Sequence, residues 1–533
     1  MIKKRVWKPL AGIIYLILLL SVVVFFYILL DLNILPDKYL LLVIGAYAVL
    51  MVLTALLLYL GINHKHHSQA RRIQRIAGVI LAFVLAGVSL AGSFVLLRVG
   101  RTKDNIATKP DDEFSAVVSV YVKNDDPAQT LADLNGYRTA VLAGIGDESV
   151  NSNYAVDQIN AQLGEKLEPV AFRGVTDAAI ALRDGEADAI AVNSNFFSML
   201  SDTETLSGFV SELRLVGEIG VPTGTTLDSL AIVVQDPENP ETAEPTPTPE
   251  PTPVPLYGEN DTMVFFLSGV DKWESGVSNT HSDANILMFV NTKTKQILLI
   301  NTPRDTFLDN PAIGGGDKLT HCGVQGVRNS ANALENFYGC FTVDNYVKIN
   351  FRGFEKFVNS IHNIRLYNPV AFDSKGRNGM EHFDEGEIVL NGYRALIYAR
   401  ERHAFANGDI GRGQNHLRVL TAIIQRFRNI DVSVILNYPE ILESMEGMFE
   451  TDLTSDQMSD LVKIGLDYLY DWDVKSYAVW GVNGMRVTAS GGSEPLYIIW
   501  PNDNSVEFAK KLMVMIQNDE IITDELLAEA PLY

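Results

Sequence analysis

The first hundred residues contain three long runs of apolar residues that no charged residue interrupts. The runs cover residues 10–30, 39–62 and 77–97. Each has the roughly 20 residues that a helix needs to cross about 30 Å of hydrocarbon, so the pattern predicts three transmembrane helices within residues 1–101. The first run is too long for the core of a cleaved signal peptide, and two further runs follow it, so we expect it to be retained.

Basic residues beside these runs predict their orientation. Four Lys or Arg residues lie within residues 3–8 and four more within residues 65–75, whereas the loop at 31–38 contains a single lysine. Because short loops rich in Lys and Arg stay in the cytoplasm, the N-terminus is expected to be cytoplasmic. The prediction is a multi-pass protein of the plasma membrane in which everything after residue 97 is extracellular.

Between residues 102 and 236, short apolar runs alternate with helical periodicity, which predicts a small extracellular α/β accessory domain. The predicted strands are 116–122, 139–142, 169–172, 189–192 and 229–234. The segment 178–192, with a helix, a Gly turn and Ala-Asp-Ala before a strand, resembles bacterial extracellular solute-binding proteins. Any connection from a helix to a strand has similar features, so a structural role and a ligand-binding role both remain open.

A Pro/Thr-rich segment at 237–258 follows, and alternating prolines favour an extended linker over a helix or strand. Residues 259–533 are long enough for one larger α/β domain, in which we expect a central mixed sheet flanked by helices. Its predicted strands are 262–267, 285–290, 296–301 and 346–350, and its predicted helices are 329–338, 393–401 and 415–427.

Charge divides the chain into two unlike parts. Residues 1–101 carry eleven Lys/Arg and two Asp/Glu, whereas the remainder carries 32 Lys/Arg against 63 Asp/Glu, a net charge of −31. Because a region with this much negative charge repels a phosphate backbone, nucleic-acid binding is not expected. The two cysteines, Cys322 and Cys340, are both in this region, where a disulfide is chemically permitted but not required.

Charged side chains gather where predicted strands and helices of the last domain end. They are Asp271, Asp283, Arg304, Asp305, Arg400, Arg402, Asp409 and Arg412. Each alone is typical of turns, helix caps or surface ion pairs. Together, two carboxylates can share Mg²⁺ and several arginines can bind phosphate oxygens in pairs. Phosphoryl transfer needs mainly positioning and charge neutralisation, so the set predicts a site for a metal-bound phosphate.

Residues 264–420 also carry an ordered set of short motifs. They are Gly-x-Asp at 269–271, Pro-Arg-Asp-Thr at 303–306, Lys-Leu-Thr-His at 318–321, Ala-Arg-Glu-Arg at 399–402 and Asp-Ile-Gly-Arg at 409–412. This set resembles the LytR-CpsA-Psr (LCP) family of Gram-positive bacteria, whose members are anchored in the membrane with the catalytic domain outside. The resemblance implies a Mg-dependent phosphotransferase. It would move a glycopolymer, such as teichoic acid or capsule, from a polyprenyl-pyrophosphate carrier to peptidoglycan, forming a phosphodiester and releasing polyprenyl phosphate.

The resemblance also implies roles for individual residues. Asp271 and Asp283 would hold Mg²⁺ or Mn²⁺, and apolar strands together with the helix at 390–399 would line a pocket for the lipid. Asp305 and Asp409 would orient the arginines or assist the incoming hydroxyl. The implied pyrophosphate contacts are Lys272, Arg304, Lys318, Arg400, Arg402 and Arg412, and the implied catalytic residues are Arg304, Asp305, Asp409 and Arg412.

The chain departs from the family's usual pattern at four positions. Lys272 and His281 stand where arginines are usual, and Asn415 and His416 replace an Arg-Gln pair. Lysine lacks the guanidinium fork, so we expect anion binding to differ here. Two alternatives stay open at this point: a polyprenyl-pyrophosphate phosphatase that uses water as acceptor, and a non-catalytic sensor that binds lipid or a wall fragment.

Overall fold

The computed structural model describes most of the chain. The described residues are 4–59, 69–107, 114–143, 148–222 apart from 198, 201, 202, 204 and 207, then 225, 262–270, 281–405, 408–428, 448–467 and 472–531. The predicted linker at 237–258 and the predicted strand at 229–234 lie outside the described residues, so both stay predictions.

Three N-terminal helices are long and apolar enough to cross a membrane. They are α1 (Lys4–Leu32), α2 (Asp37–Tyr59) and α3 (Gln69–Ala107). Their outward surface is apolar, since Leu41, Val49 and Val52 of α2 are 60–68 % exposed, as expected of side chains that face lipid rather than water. Helix α3 continues past the apolar run that ends at residue 97, so its last turns extend beyond the predicted span.

The accessory domain is a five-stranded sheet with helices. Its elements are β1 (Phe114–Lys123), β2 (Arg138–Leu142), α4 (Glu148–Asn160), β3 (Glu168–Phe172), α5 (Val175–Asp184), β4 (Ala189–Asn193), α6 (Ser194–Phe197) and β5 (Leu213–Pro222). The strand order is β3-β2-β4-β1-β5, in which β2 is parallel to both β3 and β4 and β1 is antiparallel to both β4 and β5. Strand β5 is absent from the sequence prediction because glycines and Glu218 interrupt its apolar pattern.

The C-terminal domain contains the remaining described elements. Its strands are β6 (Thr262–Val270), β7 (Ser282–Asn291), β8 (Gln296–Asn301), β9 (Phe307–Asp309), β10 (Gly316–Lys318), β11 (Asn345–Asn350), β12 (Ile364–Asn368), β13 (Phe372–Gly376), β14 (Gly379–Phe383), β15 (Gly386–Leu390), β16 (Phe449–Thr451), β17 (Asp473–Ala478), β18 (Gly481–Arg486) and β19 (Leu496–Pro501). Its helices are α7 (Leu319–Cys322), α8 (Val327–Tyr338), α9 (Phe351–Ser360), α10 (Gly392–Arg400), α11 (Asp409–Arg428), α12 (Ser455–Asp467), α13 (Asp503–Gln517) and α14 (Asp524–Ala528).

A six-stranded mixed sheet forms the centre of this domain, in the order β16-β11-β6-β7-β8-β17. Strands β6, β7 and β8 are antiparallel neighbours, whereas β11 runs parallel to β6 and β17 runs parallel to β8. Alternate residues of the strands point to opposite faces, so Phe266 and Leu298 pack against one helical layer while Phe265 and Leu299 pack against another. The predicted α/β fold class is confirmed.

The C-terminal domain contacts the last of the three N-terminal helices. The Ser455 hydroxyl donates to Asp104 at 2.6 Å, and Lys103 donates to the Ser459 hydroxyl at 2.8 Å. These bonds join the start of α12 to the last turns of α3, and β16 also lies against α3. The domain is therefore seated on the end of α3.

The two cysteines are free thiols. Cys322 is buried in α7, and Cys340 follows α8 and is half-buried. Burial raises the pKa of both thiols, so both carry their protons at neutral pH. The disulfide that the sequence left open does not form in this structure.

Candidate active site

Asp283 occupies a β-bulge at the start of β7. Gly269 of β6 pairs with Ala284 and Val270 pairs with Ser282, so Asp283 is the extra residue between these pairs. A bulge of this kind redirects a side chain at the end of a ladder. The Asp283 carboxylate accepts a hydrogen bond from Nη1 of Arg304 at 2.5 Å.

Arg304 and Asp305 belong to the loop that follows the buried strand β8. The Asp305 carboxylate lies 3.5 Å from Nε of Arg304 and 3.1 Å from Nζ of Lys318. The backbone of the loop is held as well, because Thr320 N–H donates to the Arg304 carbonyl at 2.8 Å and Ile499 N–H donates to the Asp305 carbonyl at 2.8 Å. Contacts from two other segments therefore fix this loop.

Asp409 and Arg412 come from the first turn of α11, where they form an ion pair at 3.1 Å. The next residue, Gly413, lets the helix approach the end of β8, because a Cβ atom there would lie 2.2 Å from Oδ1 of Asn301. Since no other residue lacks a Cβ, glycine allows this close packing. It places Arg412 and Asp409 beside the loop that follows β8.

The buried charges of this group hold one another in defined protonation states. Burial lowers the pKa of Arg304, but Asp305 and Asp283 outweigh it, so the pKa is raised. Burial raises the pKa of Asp305, but Lys318 and Arg304 outweigh it and the net change is downward. The pKa of Asp409 is raised by burial and by Asp305, against the effect of Arg412. Of these two carboxyl groups, Asp409 is therefore the more readily protonated.

A cavity of about 980 Å³ opens beside this cluster. The charged residues Asp283, Arg304, Arg400, Arg402 and Arg412 are part of its lining. Other polar side chains also line it, among them Glu355, Lys375 and Arg377. Its apolar lining includes Leu267, Ile286, Val347, Ile349, Phe351, Phe354, Phe357, Leu396, Ile397, Val419, Leu420, Ile423 and Phe449. The apolar residues of α10 and the strands, which could equally have been closed core, do line a cavity.

One strand that lines the cavity also contacts α3. Phe449 of β16 is part of the wall, and β16 packs against α3. Elsewhere in the lining, the Arg400 guanidinium lies 4.2 Å from the centre of the Phe351 ring. An aromatic face attracts a cation at this distance, so Phe351 contributes to the placement of Arg400.

The structure separates the predicted residues into two layers. Arg304, Arg400, Arg402, Arg412 and Asp283 line the cavity. The other described members, Asp305, Lys318 and Asp409, lie behind the arginines with side chains only 5–7 % exposed. Lys318 thus contacts Asp305 rather than the cavity surface. Asp271 and Lys272 lie outside the described residues, so their predicted roles stay predictions.

Two further residues lie at the site. His416 lines the cavity one turn after Arg412, and burial together with Arg412 lowers its pKa to about 3, so its imidazole is neutral at physiological pH. Burial, with Asp409 and Asp305, raises the pKa of Tyr497. Sequence inspection noted His416 only as a departure from a motif and did not single out Tyr497, which is about 190 residues away in the chain from Asp305 and carries no motif.

Asp283 fits the predicted magnesium site only in part. Its carboxylate is an oxygen ligand that faces the cavity, as Mg²⁺ prefers, and one of its oxygens binds Arg304. Within the part of the chain that the structure describes, no group of three or more His, Cys, Asp or Glu side chains could hold a metal ion. The second predicted ligand, Asp271, is not among those residues, so the magnesium site stays a prediction.

Residues 235–491 match the LytR_cpsA_psr family. A polyisoprenyl-teichoic acid–peptidoglycan teichoic acid transferase TagU of Enterococcus faecalis is 35% identical over 204 residues, which are 38% of this chain and 64% of the relative. TagU of Oceanobacillus iheyensis is 28% identical over 242 residues, 44% of this chain and 72% of the relative. The match to the enterococcal protein therefore spans slightly less than two thirds of its length.

Solved structures of similar proteins cover about half of this chain. Crystalline B. subtilis TagV has a TM-score of 0.40 and 22% identity, and covers 49% of this chain and 99% of its own. TagT bound to LI-WTA has a TM-score of 0.39 and 23% identity, with 50% and 94% covered.

Proposed function

We propose, from the match of residues 235–491 to the LytR_cpsA_psr family, that the protein transfers a glycopolymer from a polyprenyl-pyrophosphate carrier to peptidoglycan. In this reaction an acceptor hydroxyl attacks the phosphorus that bears the polymer, and the P–O bond to the polyprenyl phosphate breaks. A phosphodiester forms and polyprenyl phosphate leaves. The relatives are named for transfer of polyisoprenyl-linked teichoic acid to peptidoglycan, and the polymer class is part of the proposal here.

The observation that carries this proposal is that one cavity is lined both by arginines and by many apolar side chains. A pyrophosphate bearing a long prenyl chain likewise joins an anionic part and an apolar part in one molecule. The four arginines offer paired N–H groups to phosphate oxygens, and the apolar side chains offer a surface to the prenyl chain. A volume of about 980 Å³ is at the upper end of the usual range for small-molecule sites.

The two layers of charged residues suggest two roles. Arg304, Arg400, Arg402 and Arg412 would bind the pyrophosphate and neutralise the charge that develops on the leaving phosphate. Asp305 and Asp409 contact Arg304 and Arg412 from behind, which favours an orienting role over direct contact with the acceptor hydroxyl. Lys318 then maintains the ionised state of Asp305.

Mg²⁺ would bind at Asp283, with Asp271 as the second ligand that the family resemblance implies. When bound, it would polarise phosphate oxygens and offset their charge. The Asp283–Arg304 bond then gives Asp283 a second effect, since it holds the guanidinium toward the same phosphate.

The position of the cavity also supports a membrane-borne substrate. Three helices are suited to cross a membrane, and β16, which contributes Phe449 to the cavity wall, lies against α3. With the N-terminus cytoplasmic, as the basic loops predict, the site would be extracellular and close to the outer leaflet, where a lipid-linked wall precursor could reach it.

The test uses the full-length protein in lipid nanodiscs with an undecaprenyl-pyrophosphoryl-linked short glycopolymer and peptidoglycan strands. Mass spectrometry would detect the phosphodiester-linked product, and chromatography would detect the released undecaprenyl phosphate. Both products are expected. Lipid release with polymer transferred only to water would replace the proposal with the phosphatase, and binding of the donor without either product would replace it with the sensor.

A further inference from the structure

The accessory domain is docked on the C-terminal domain through the first turn of α5. Thr176 N–H donates to the Gly491 carbonyl at 3.0 Å, and the Thr176 hydroxyl donates to the same carbonyl. The Asp177 carboxylate accepts from Ser493 N–H at 3.1 Å and from its hydroxyl at 2.6 Å. These bonds reach backbone groups, so they fix the loop at 488–493 in place rather than joining two flexible side chains.

Two glycines make this close contact possible. A Cβ atom at Gly174 would lie 2.1 Å from Cα of Gly492, and one at Gly492 would lie 2.4 Å from Oγ1 of Thr176. Gly492 also has φ near +112°, a conformation that glycine adopts without a steric penalty. The two domains therefore meet backbone against backbone, and any side chain at either glycine would force them apart.

Apolar contacts reinforce the docking on both sides of α7. Val324 is 1% exposed and belongs to the same apolar core as Ala178 and Leu182 of α5. Ile313 packs against this core as well. Burial of these apolar side chains stabilises the contact between the two domains. The accessory domain thus holds the segment 313–324 at two points, and Lys318 lies between them.

A continuous line of buried hydrogen bonds leads from the docked loop to the active site. Ser490 Oγ lies 3.2 Å from Nδ1 of His321, and that nitrogen lies 2.6 Å from Oδ1 of Asp317. Asp317 Oδ1 also accepts from Lys318 N–H at 2.8 Å, and Lys318 Nζ donates to Asp305 at 3.1 Å. These five residues are at most 5% exposed, and buried polar groups are costly to leave without partners.

We propose that the accessory domain is a positioning module for the active site. By holding the loop at 488–493 and the segment 313–324, it keeps Lys318 on Asp305 and keeps Asp305 beside Arg304. Thr176 is then a positioning residue that acts through Ser490, His321 and Asp317. Its effect on catalysis rests on the proposed transfer function, whereas its effect on the geometry of Lys318 does not.

Substitutions at Thr176 separate this role from simple folding. Thr176→Val has nearly the same shape but lacks the hydroxyl that donates to Gly491, and Thr176→Ser keeps the donor. Gly174→Ala wedges the interface apart by a different route. Gly208→Ala is the matched control in the same domain, since a Cβ atom there meets nothing within 4 Å.

Hydrogen exchange of full-length protein in nanodiscs gives a direct readout without substrate. The amides of Leu319 and Thr320 donate to the carbonyls of Thr306 and Arg304, so their exchange reports whether α7 still holds the catalytic loop. Loss of one hydrogen bond corresponds to a change of roughly 2- to 12-fold. We therefore expect exchange of these two amides to rise about fivefold in Thr176→Val and more in Gly174→Ala, and to stay at the wild-type rate in Thr176→Ser and Gly208→Ala.

Transfer kinetics give a second readout. In Thr176→Val, kcat should fall about fivefold with little change in KM, because the arginines that bind the donor remain and only their orientation loosens. The proposal is overturned if exchange rises only within residues 114–222 and 488–493 while Leu319 and Thr320 stay protected, or if kcat stays at the wild-type value. If the wild-type protein transfers nothing, the proposed function fails, and the exchange of Leu319 and Thr320 still decides the positioning role.

Discussion

Arg304, in the loop after β8, donates a 2.5 Å hydrogen bond to Asp283 at the start of the neighbouring strand β7. The two residues are 21 positions apart in the sequence, and a different local backbone feature brings each of them to the other. Asp283 is redirected by a bulge, and Arg304 is carried on a loop that α7 and β19 hold by backbone bonds. The pair faces the cavity, so it joins the predicted metal ligand to the predicted phosphate ligand.

Removing Arg304 should abolish transfer without unfolding the protein. Arg304→Ala is expected to lower kcat/KM at least about 100-fold, as loss of one charge-stabilising donor does in other enzymes, and Arg304→Lys should recover only part because lysine lacks the fork. The measurement is steady-state release of undecaprenyl phosphate. Lys510→Ala, which removes an exposed cation from a surface pair with Glu507, should retain wild-type kinetics, and full activity in Arg304→Ala would contradict the site.

A bulkier side chain in the apolar part of the cavity wall should affect long-chain donors more than short-chain donors. Ile349 lines the cavity from β11, so Ile349→Trp should raise KM for an undecaprenyl donor while leaving KM for a farnesyl donor nearly unchanged. Val482→Trp adds the same bulk at a position that is 63% exposed and serves as control. An unchanged KM for the undecaprenyl donor would show that the prenyl chain does not enter this cavity.

His416 should make the protein more sensitive to acid. Its folded-state pKa of about 3 lies below the ordinary value near 6.5, so between these values the unfolded chain binds a proton that the folded protein does not. The free energy of unfolding therefore falls as the pH drops below about 6.5. His416→Gln cannot titrate, so its thermal midpoint should decline less steeply between pH 6.5 and 4. Parallel curves for the two proteins would contradict the assignment of a neutral buried imidazole.

Divalent metal should be required for transfer. Treatment with EDTA is expected to abolish product formation, and addition of Mg²⁺ or Mn²⁺ should restore it. Asp283→Asn should need a higher Mg²⁺ concentration because it loses a charged oxygen ligand, and Asp271→Asn should show the same change. Undiminished activity in EDTA would remove the metal from the proposed mechanism.

Much of the fold could be predicted from local sequence patterns. The three apolar runs identify α1 to α3 because hydrocarbon excludes charge over about 20 residues. Strands β6, β7, β8 and β11 follow from short runs of apolar residues. Strands β5 and β18 could not be predicted in the same way, because glycines interrupt their apolar patterns and their partners across the sheet stabilise them.

The candidate site, too, could be predicted from the sequence only in part. Its residue types, two carboxylates and several arginines in ordered motifs, point to phosphate chemistry because charge and donor number belong to the side chains themselves. Whether a side chain lines the cavity, in contrast, depends on how the whole domain packs and not on the residue type. The sequence resemblance placed Lys318 among the phosphate contacts, whereas in the folded domain Lys318 donates to Asp305 instead. Packing also brings Tyr497 within electrostatic range of Asp409, which lies about 90 residues earlier in the chain.

By itself, the sequence determined the three long apolar helices, the α/β class and the chemistry of the charged residues, because these depend on properties of short segments. Only the tertiary structure decided that one cavity joins the arginines to an apolar wall and that the accessory domain is docked beside it. Thr176 and Gly491 are 315 residues apart. A contact of that kind depends on how complete domains pack, and no local pattern encodes it.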